Sequence, residues 1–136
     1  MKDIWYEPVG AQHIEFLYQI LKERPKVANI SHKTMPTMEQ HTEFVNTWTE
    51  RYREWWVIWY GGDMAGNCYL TKHNEYGMFI KREFQGLGIA IEAFKWIAKR
   101  YRDEPLYSNI NPRNTRIRKL LQRLGCTLVQ ETWKHP

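Results

Sequence analysis

Residues 84–90, which read Phe-Gln-Gly-Leu-Gly-Ile-Ala, form the stretch of this sequence best suited to chemistry. They follow a short apolar run that ends at Lys81 and lead into a segment with helical spacing. Glycines in a strand-to-helix turn let successive N–H groups converge at a helix N-terminus, where the helix dipole favours an anion. The stretch carries no acidic residue, and its spacing is neither the dinucleotide-binding nor the P-loop pattern. It therefore predicts either a phosphate-binding loop of another kind or a plain glycine-containing turn, with Leu87 and Ile89 facing the core.

The charge distribution also points to an anionic partner. Residues 1–80 hold eight Lys or Arg and ten Asp or Glu, for a net charge of −2, whereas residues 81–136 hold twelve and five, for +7. A basic half of this kind is typical of proteins that bind a nucleic acid, a membrane surface or a phosphorylated cofactor. Charge alone leaves these three alternatives open.

Length and composition exclude several classes of protein. A chain of 136 residues predicts one domain over residues 1–136. The mean hydropathy of −0.67 and the lack of an apolar run near 18 residues exclude a membrane span. Cys68 and Cys126 stand far apart with no Cys or His at metal-ligand spacing, so we predict no metal site and two reduced thiols. The N-terminal residues lack the apolar region of a signal peptide, and we expect a cytoplasmic protein.

Apolar periodicity and turn residues predict a mixed α/β chain in the order α-α-β-β-β-α-β-α-β. A helix after Pro36 is expected to have Thr37 as its N-cap and Gln40 at the capping-box position. Gly125 is expected to end the last helix. The predicted helices cover residues 11–24, the segment after Pro36, the segment from 88 to 104, and 115–124; the predicted strands cover 55–60, 64–71, 76–81, 106–110 and 127–133.

Two motifs in this order resemble those of the GCN5-related N-acetyltransferase (GNAT) superfamily. Gln85-x-x-Gly88-x-Ala90 after a strand is similar to that superfamily's Q/R-x-x-G-x-G/A signature. The segment from Asn114 to Cys126 is similar to its later N-x-x-A-x-x-L-Y-x-x-x-G-F segment, without a gap. The resemblance covers about thirty residues in the motifs and essentially the whole chain in the order of its elements.

The resemblance implies a mixed, mostly antiparallel sheet with helices on both faces, and acetyl-CoA as the co-substrate. The pantetheine arm is expected to lie along the strand before the loop, with an N–H group, here that of Ile80, stabilising the oxyanion. The residues that the resemblance assigns to acetyl-CoA are Phe79, Ile80, Lys81, Gln85, Gly86, Leu87, Gly88, Ile89, Ala90 and Asn114.

Two residues that family members often use in catalysis are absent. The tyrosine that protonates the leaving thiolate corresponds to Leu121, which has no proton to give. The glutamate that some relatives place before the motif asparagine corresponds to Asn109, which cannot act as a base but can hold a water. Asn109 and Ser108 are expected at the acceptor site.

Three other residues are candidates for the catalytic groups: Glu75, His32 and Tyr107. Glu75 precedes the strand expected to bind pantetheine, although a solvated turn residue would have the same pattern. His32 lies in the segment expected to wall the acceptor pocket, although a structural or exposed histidine fits as well. An amine that loses its proton to bulk water would need only positioning by the protein.

The predicted function is transfer of the acetyl group of acetyl-CoA to a primary amine of an amino sugar, a small molecule or a protein N-terminus. A catalytically weak acyl-CoA-binding regulatory module is the alternative, and a nucleic-acid-binding protein is a weaker one because the chain shows no DNA- or RNA-binding signature. The basic residues of the last helix suit a solvated face, the cofactor phosphate or a nucleic acid. With eleven residues after Gly125, the last strand is either absent or completed by a second subunit, so we expect a possible homodimer.

Overall fold

The computed structural model describes residues 1–24 and 34–136. Its strands are β1 (Ile4–Pro8), β2 (Tyr52–Tyr60), β3 (Asp63–Thr71) and β4 (Tyr76–Ile80). Its α-helices are α1 (Ile14–Glu23), α2 (Met38–Asn46), α3 (Ile89–Arg100) and α4 (Thr115–Arg123). Short 3₁₀ turns at Ala11–His13, Trp48–Glu50 and Arg82–Phe84 precede α1, β2 and the loop before α3.

The four strands form one antiparallel sheet in the order β1-β2-β3-β4. The turn between β2 and β3 contains Gly61, whose φ of +62° lies in the left-handed region, so the glycine expected in this hairpin is required by the backbone. Segment 106–110 adds one parallel bridge, between Tyr107 and Glu75. The sheet is therefore mixed but mostly antiparallel, as predicted.

Helices cover both faces of the sheet, and each face has its own apolar core. Trp55 and Val57 pack with α1 and α2, whereas Trp56 and Ile58 pack with α3. Successive residues of a strand point to opposite faces, and all four side chains are buried. The aromatic run of β2 is therefore buried on both faces of the sheet. Helix packing against both faces holds the sheet, β4 included, in position relative to α3.

The pairing of α1 with α2 follows from local signals in the sequence. Thr37 accepts a hydrogen bond from the N–H of Gln40 (3.1 Å), and the side chain of Gln40 accepts one from the N–H of Thr37 (3.0 Å). This confirms the predicted capping box. His41 contacts the carbonyl of Ile14 at 2.8 Å, and since a carbonyl only accepts, the Nε2 atom of His41 carries the proton.

Three predictions about strands are wrong or incomplete. β1 was not predicted, and it pairs as an edge strand with the whole second half of β2. Residues 127–133, although described, are not in a strand, and Leu128, Val129 and Trp133 are exposed. An isolated strand cannot satisfy its backbone groups, and this segment has no pairing with another described strand. Segment 106–110 reaches the sheet only at Tyr107.

The other predicted elements are confirmed within a few residues. α4 ends as expected at Gly125, whose φ is +83° and whose N–H bonds to the carbonyl of Gln122. None of the helices in the described ranges has the length and apolar character needed to cross a membrane.

Candidate active site

In residues 1–24 and 34–136, the outer edge of β4 is paired only at its start, and we call the unpaired space between β4 and segment 106–110 the cleft. The N–H of Tyr76 donates to the carbonyl of Tyr107 (2.6 Å), and the N–H of Tyr107 donates to the carbonyl of Asn74 (2.9 Å). These bonds hold segment 106–110 parallel to the start of β4. The bridge at Glu75 and Tyr107 is the one bridge recorded between these segments in the described chain. Beyond Tyr76 the edge of β4 is therefore free to pair with something else.

Backbone groups along β4 alternate between its two neighbours. The N–H of Thr71 donates to the carbonyl of Glu75, and the N–H of Lys81 donates to the carbonyl of Ala65, so residues 75, 77, 79 and 81 turn these groups toward β3. Tyr76 bonds to the other side, and Met78 and Ile80 share its orientation. The edge thus presents the N–H groups of Met78 and Ile80.

This alternation changes one part of the site prediction. Ile80 presents its backbone to the open edge, as expected for a pantetheine contact and an oxyanion donor. The backbone groups of Phe79 and Lys81 face β3 instead, because a strand cannot turn consecutive amides to the same edge. Met78, which the prediction omitted, presents its backbone to the open edge; only the hydrogen-bond register with β3 identifies it.

The loop before α3 contains two glycines with a left-handed backbone. Gly86 and Gly88 have φ angles of +79° and +85°, which side-chain-bearing residues rarely adopt. A Cβ placed on Gly86 would meet no atom within 4 Å, so the space above it is open. Ile89 is buried as predicted, but Leu87 is 43% exposed, which corrects the prediction that it faces the core. Leu87 is therefore a surface residue of the loop.

The N-terminus of α3 lacks a side-chain cap, as does that of α1, whose N-cap is His13. Thr37 caps α2 and Asn114 caps α4 through their side chains, but Gly88, the N-cap of α3, has no side chain to do so. The first N–H groups of a helix have no acceptor within the helix. Those of Ile89 and Ala90 are therefore directed at the glycine loop, where an anion would be stabilised.

Gln85 connects this loop to both sides of the cleft. Its side-chain nitrogen donates to the carbonyl of Ile80 (2.9 Å), and its side-chain oxygen accepts from the guanidinium of Arg116 on α4 (2.7 Å). Asn114 uses its oxygen to accept from the N–H of Ile117 (3.3 Å), which leaves its NH₂ group for other contacts. Both motif residues therefore contact α4: Gln85 through Arg116, and Asn114 as the N-cap of the helix.

The carboxylate of Glu75 lies at the closed end of the cleft and is half-buried. One oxygen accepts from the hydroxyl of Thr71 (3.4 Å), and the other accepts from the side-chain amide of Asn109. The structure therefore brings together Glu75 and Asn109, which the sequence singled out separately, and Glu75 is more than a solvated turn residue. Tyr107 is 46% exposed and Ser108 is half-buried in the same segment.

Tyr69 is a further polar group in this region that the sequence prediction missed. Its ring stacks on Tyr52 with centroids 4.5 Å apart and planes 11° from parallel. Burial raises the pKa of the Tyr69 phenol, the charge of Arg24 lowers that pKa in part, and Glu75 raises it. The stack depends on the pairing of β2 with β3, and the position of Tyr69 over β4 depends on the pairing of β3 with β4; no local pattern reveals either.

His32 is also a catalytic candidate from the sequence, and Leu121 is the position of the absent tyrosine. His32 falls outside the described residues. Leu121 is half-buried on α4, where its side chain has no proton to donate. Among the described residues there is no group of three or more His, Cys, Asp or Glu side chains that would hold a metal ion.

Similar folds occur among solved structures. A domain from Methanocaldococcus jannaschii DSM 2661 superposes with a TM-score of 0.77 at 19% identity, over 92% of this chain and 88% of that one. An acetyltransferase from Salmonella typhimurium that modifies the N-terminal serine of ribosomal protein L7/L12 gives 0.69 at 15% identity, over 88% and 78%. The microcin C7 self-immunity acetyltransferase MccE, solved with acetyl-CoA and AMP, gives 0.68 at 16% identity, over 90% and 78%. These likenesses confirm the predicted fold.

The sequence itself shows the family to which the chain belongs. No curated protein matches it significantly. A family model described as "Acetyltransferase (GNAT) domain" matches residues 4–127 and so spans most of the chain, including β4, the glycine loop and α4. The chain belongs to the GNAT acetyltransferase domain family.

Proposed function

We propose that this protein transfers the acetyl group of acetyl-CoA to a primary amine. The observation that carries the proposal is the continuity between the open edge of β4 and the uncapped N-terminus of α3. Two edge N–H groups, those of Met78 and Ile80, lead directly to a glycine loop with open space above Gly86 for an anion. An extended chain that ends in a phosphate fits this edge and loop together, and family membership supports that combination.

Acetyl-CoA would be held along the cleft by backbone more than by side chains. The diphosphate would bind the N–H groups between Gly86 and Ala90, and the amide-containing arm would pair with the edge of β4. Lys81, Gln85, Leu87, Gly88 and Ile89 frame this path, and the NH₂ group of Asn114 would contact the arm. When bound, acetyl-CoA supplies the activated acyl group as a thioester.

Glu75 is the proposed base. Its carboxylate is held by Thr71 and Asn109 at the point where the edge of β4 becomes free. A positioned carboxylate at the reacting centre accepts the proton that the amine loses as it attacks the acetyl carbon. The N–H groups of Ile80 and Met78 would stabilise the oxygen that becomes negative in that step.

The acceptor would enter from the face of the sheet that α1 and α2 cover. Asn109 and Ser108 border that entrance and would orient it, while Tyr107 and His32 stay proposed contributors. Amino sugars, small amines and protein N-termini remain candidates. The Salmonella enzyme of similar fold acts on a protein N-terminal serine, which supports testing a peptide of that kind.

The alternative is a module that binds acyl-CoA without turning it over. Leu121 favours it, because an aliphatic side chain stands where relatives place a proton donor. The two alternatives make the same prediction for binding and opposite predictions for turnover, so one experiment separates them.

The experiment is calorimetry with acetyl-CoA, followed by measurement of CoA release with an amino sugar, a polyamine and a serine-initiated peptide. We expect binding, and turnover with at least one amine. Binding without turnover would support the module, and a lack of binding would overturn the cofactor assignment. Gly88→Glu should abolish binding, because it places a carboxylate where the diphosphate would lie; unchanged affinity in a folded variant would also overturn it.

A further inference from the structure

The hydroxyl of Tyr69 lies directly over Gly77 of β4. Tyr69 pairs with Gly77 across the β3–β4 ladder. A Cβ built on Gly77 would stand 2.1 Å from the Cζ atom and 2.3 Å from the hydroxyl oxygen of Tyr69, far inside contact distance. Only a glycine leaves room for the phenol there. The missing side chain of Gly77 thus places a hydroxyl on the strand that borders the cleft.

Gly77 occupies a particular place on that strand. It follows Tyr76, the last residue of β4 that bonds to Tyr107, and precedes Met78, the first with a free edge. Its side-chain direction is that of Glu75 and Phe79, toward α1 and α2. Successive same-face positions are about 6.6 Å apart at roughly 3.3 Å per residue. The Tyr69 hydroxyl therefore lies one same-face step along β4 from the carboxylate-bearing residue Glu75.

The surroundings of Tyr69 hold the ring in place and keep the phenol protonated. Stacking on Tyr52 at 4.5 Å fixes the plane of the ring, and Gly77 sets how far the ring reaches across β4. Burial, the largest influence, raises the pKa of this phenol, while Arg24 opposes the shift and Glu75 adds to it. The hydroxyl is thus a fixed donor.

We propose that Tyr69 is the proton donor to the sulfur that leaves during acetyl transfer, an inference that rests on the proposed function. The amine nitrogen forms a bond to the acetyl carbon, and the bond from that carbon to sulfur breaks, with its electron pair going to sulfur. The Tyr69 hydroxyl gives its proton to that sulfur. The proton that the amine loses passes through the Glu75 carboxylate back to the tyrosinate. The sum is amine plus thioester giving amide plus thiol.

This assignment accounts for the position of Leu121. A donor on β3 whose hydroxyl reaches β4 at Gly77 removes the need for one on α4. Glu75 and Tyr69 are then the base and the acid, placed side by side on one face of the sheet. The N–H groups of Met78 and Ile80 remain free for the oxyanion.

The test compares Tyr69→Phe with Tyr52→Phe. Each variant removes one hydroxyl and keeps the stacked rings, so packing changes little and only one variant alters the cleft. With the most active amine of the panel, Tyr69→Phe should lower kcat by about 10²-fold or more, within the range typical of a lost general acid. Tyr52→Phe should leave kcat within twofold. Calorimetry should show acetyl-CoA affinity within about threefold of the parent protein in both variants.

The pH profile of kcat distinguishes a proton donor from a structural residue, and a titration of the tyrosines checks that the Tyr69 phenol loses its proton late. In the parent protein kcat should fall at alkaline pH as Tyr69 loses its proton, and this limb should be absent in Tyr69→Phe. Ultraviolet titration of phenolate absorbance, without any ligand, should show one fewer late-titrating tyrosine in that variant. An unchanged kcat in Tyr69→Phe, or an equal loss in Tyr52→Phe, would overturn the inference while parent turnover upheld the proposed function. A parent protein that does not bind acetyl-CoA would instead refute the proposed function.

Discussion

The guanidinium of Arg116 donates a hydrogen bond of 2.7 Å to the side-chain oxygen of Gln85. Gln85 in turn donates to the carbonyl of Ile80 on β4. The cleft therefore has a polar link across it, from α4 through the loop to the strand edge. Few contacts tie α4 to the rest of the described structure, and all its residues are exposed or half-buried. This link therefore holds α4 in position relative to β4.

Removing the link should weaken cofactor binding without unfolding the protein. Arg116 is exposed, so Arg116→Ala should cost little stability. It should raise the Kd for acetyl-CoA by roughly fivefold, about 1 kcal/mol, the usual net value of one hydrogen bond. Arg123→Ala removes the same charge from the other end of α4 and is the matched control. An equal loss of acetyl-CoA affinity in both variants would show that the effect comes from the change in net charge and not from the hydrogen bond with Gln85.

Comparing alanine substitutions at Gly86 and Gly125 separates the cost of backbone strain from the effect on acetyl-CoA binding. Both have left-handed φ angles, +79° and +83°, and at both a Cβ would meet no atom within 4 Å. Each change to alanine should therefore cost about the same, roughly 1–2 kcal/mol of unfolding free energy. Only Gly86→Ala should also weaken acetyl-CoA binding, by tenfold or more, about 1.4 kcal/mol. Denaturant titration and calorimetry measure the two effects, and a similar affinity loss in Gly125→Ala would contradict this account.

The parts of the fold that could be predicted are those with local signals. The capping box of Thr37 and Gln40 and the glycine stop at Gly125 each require a residue type at a fixed offset, so sequence reveals them. β1 has no such signal: it is an edge strand of five residues that ends at Pro8, and its pairing with β2 is a tertiary contact. Residues 127–133 contain several β-prone residues but have no partner strand among the described residues, so propensity alone misleads.

The candidate site, like the fold, has parts that local sequence signals predict and parts that depend on tertiary contacts. The loop from Gln85 to Ala90 was predictable because glycine is required where φ is positive. Glu75 and Asn109 were identified separately, but their hydrogen bond depends on the parallel bridge at Tyr107. Met78 and Tyr69 could not be found, since which amide faces the edge and which ring covers Gly77 are set by the β3–β4 register. Cross-strand register is not encoded in any single segment.

The two cysteines should differ sharply in reactivity. Cys68 is fully buried, and burial raises the pKa of its thiol to about 12, whereas Cys126 is exposed. Thiolate is the reactive form, so a disulfide reagent should modify one thiol in the native protein and two after denaturation. Cys126→Ser should leave no fast-reacting thiol. Rapid modification of native Cys126→Ser would show that the core around Cys68 opens readily.

His41 should make stability depend on pH in a narrow window. Burial lowers the pKa of its imidazole, and the hydrogen bond to the Ile14 carbonyl only partly opposes this. The unfolded imidazole takes up a proton near its usual pKa of about 6.5, so below that pH the unfolded state binds more protons. The free energy of unfolding should fall as the pH drops from about 6.5.

The variant His41→Gln isolates this effect, because glutamine keeps an N–H donor but does not titrate. Its unfolding free energy should change less than that of the parent between about pH 7 and pH 5.5. Glu7 and Glu104 also have lowered pKa values, each through hydrogen bonding, but from a starting value of 4.5, so their contributions are lost at lower pH. Identical pH profiles for the two proteins would be evidence against a neutral, buried His41.

Glu75→Gln tests the proposed base most directly. Glutamine has nearly the shape of glutamate: its carbonyl oxygen can accept from Asn109 while its NH₂ group donates to the hydroxyl oxygen of Thr71, so the cleft should keep its geometry, but it cannot take up a proton. We expect kcat to fall by about 10²- to 10⁴-fold, the usual contribution of a positioned base, while the Kd for acetyl-CoA changes little. Glu83→Gln, in the exposed turn after β4, removes a nearby carboxylate and should retain full kcat. Should both variants keep their activity, the amine must lose its proton to solvent before attack, and the protein would act by positioning the two substrates on the edge of β4.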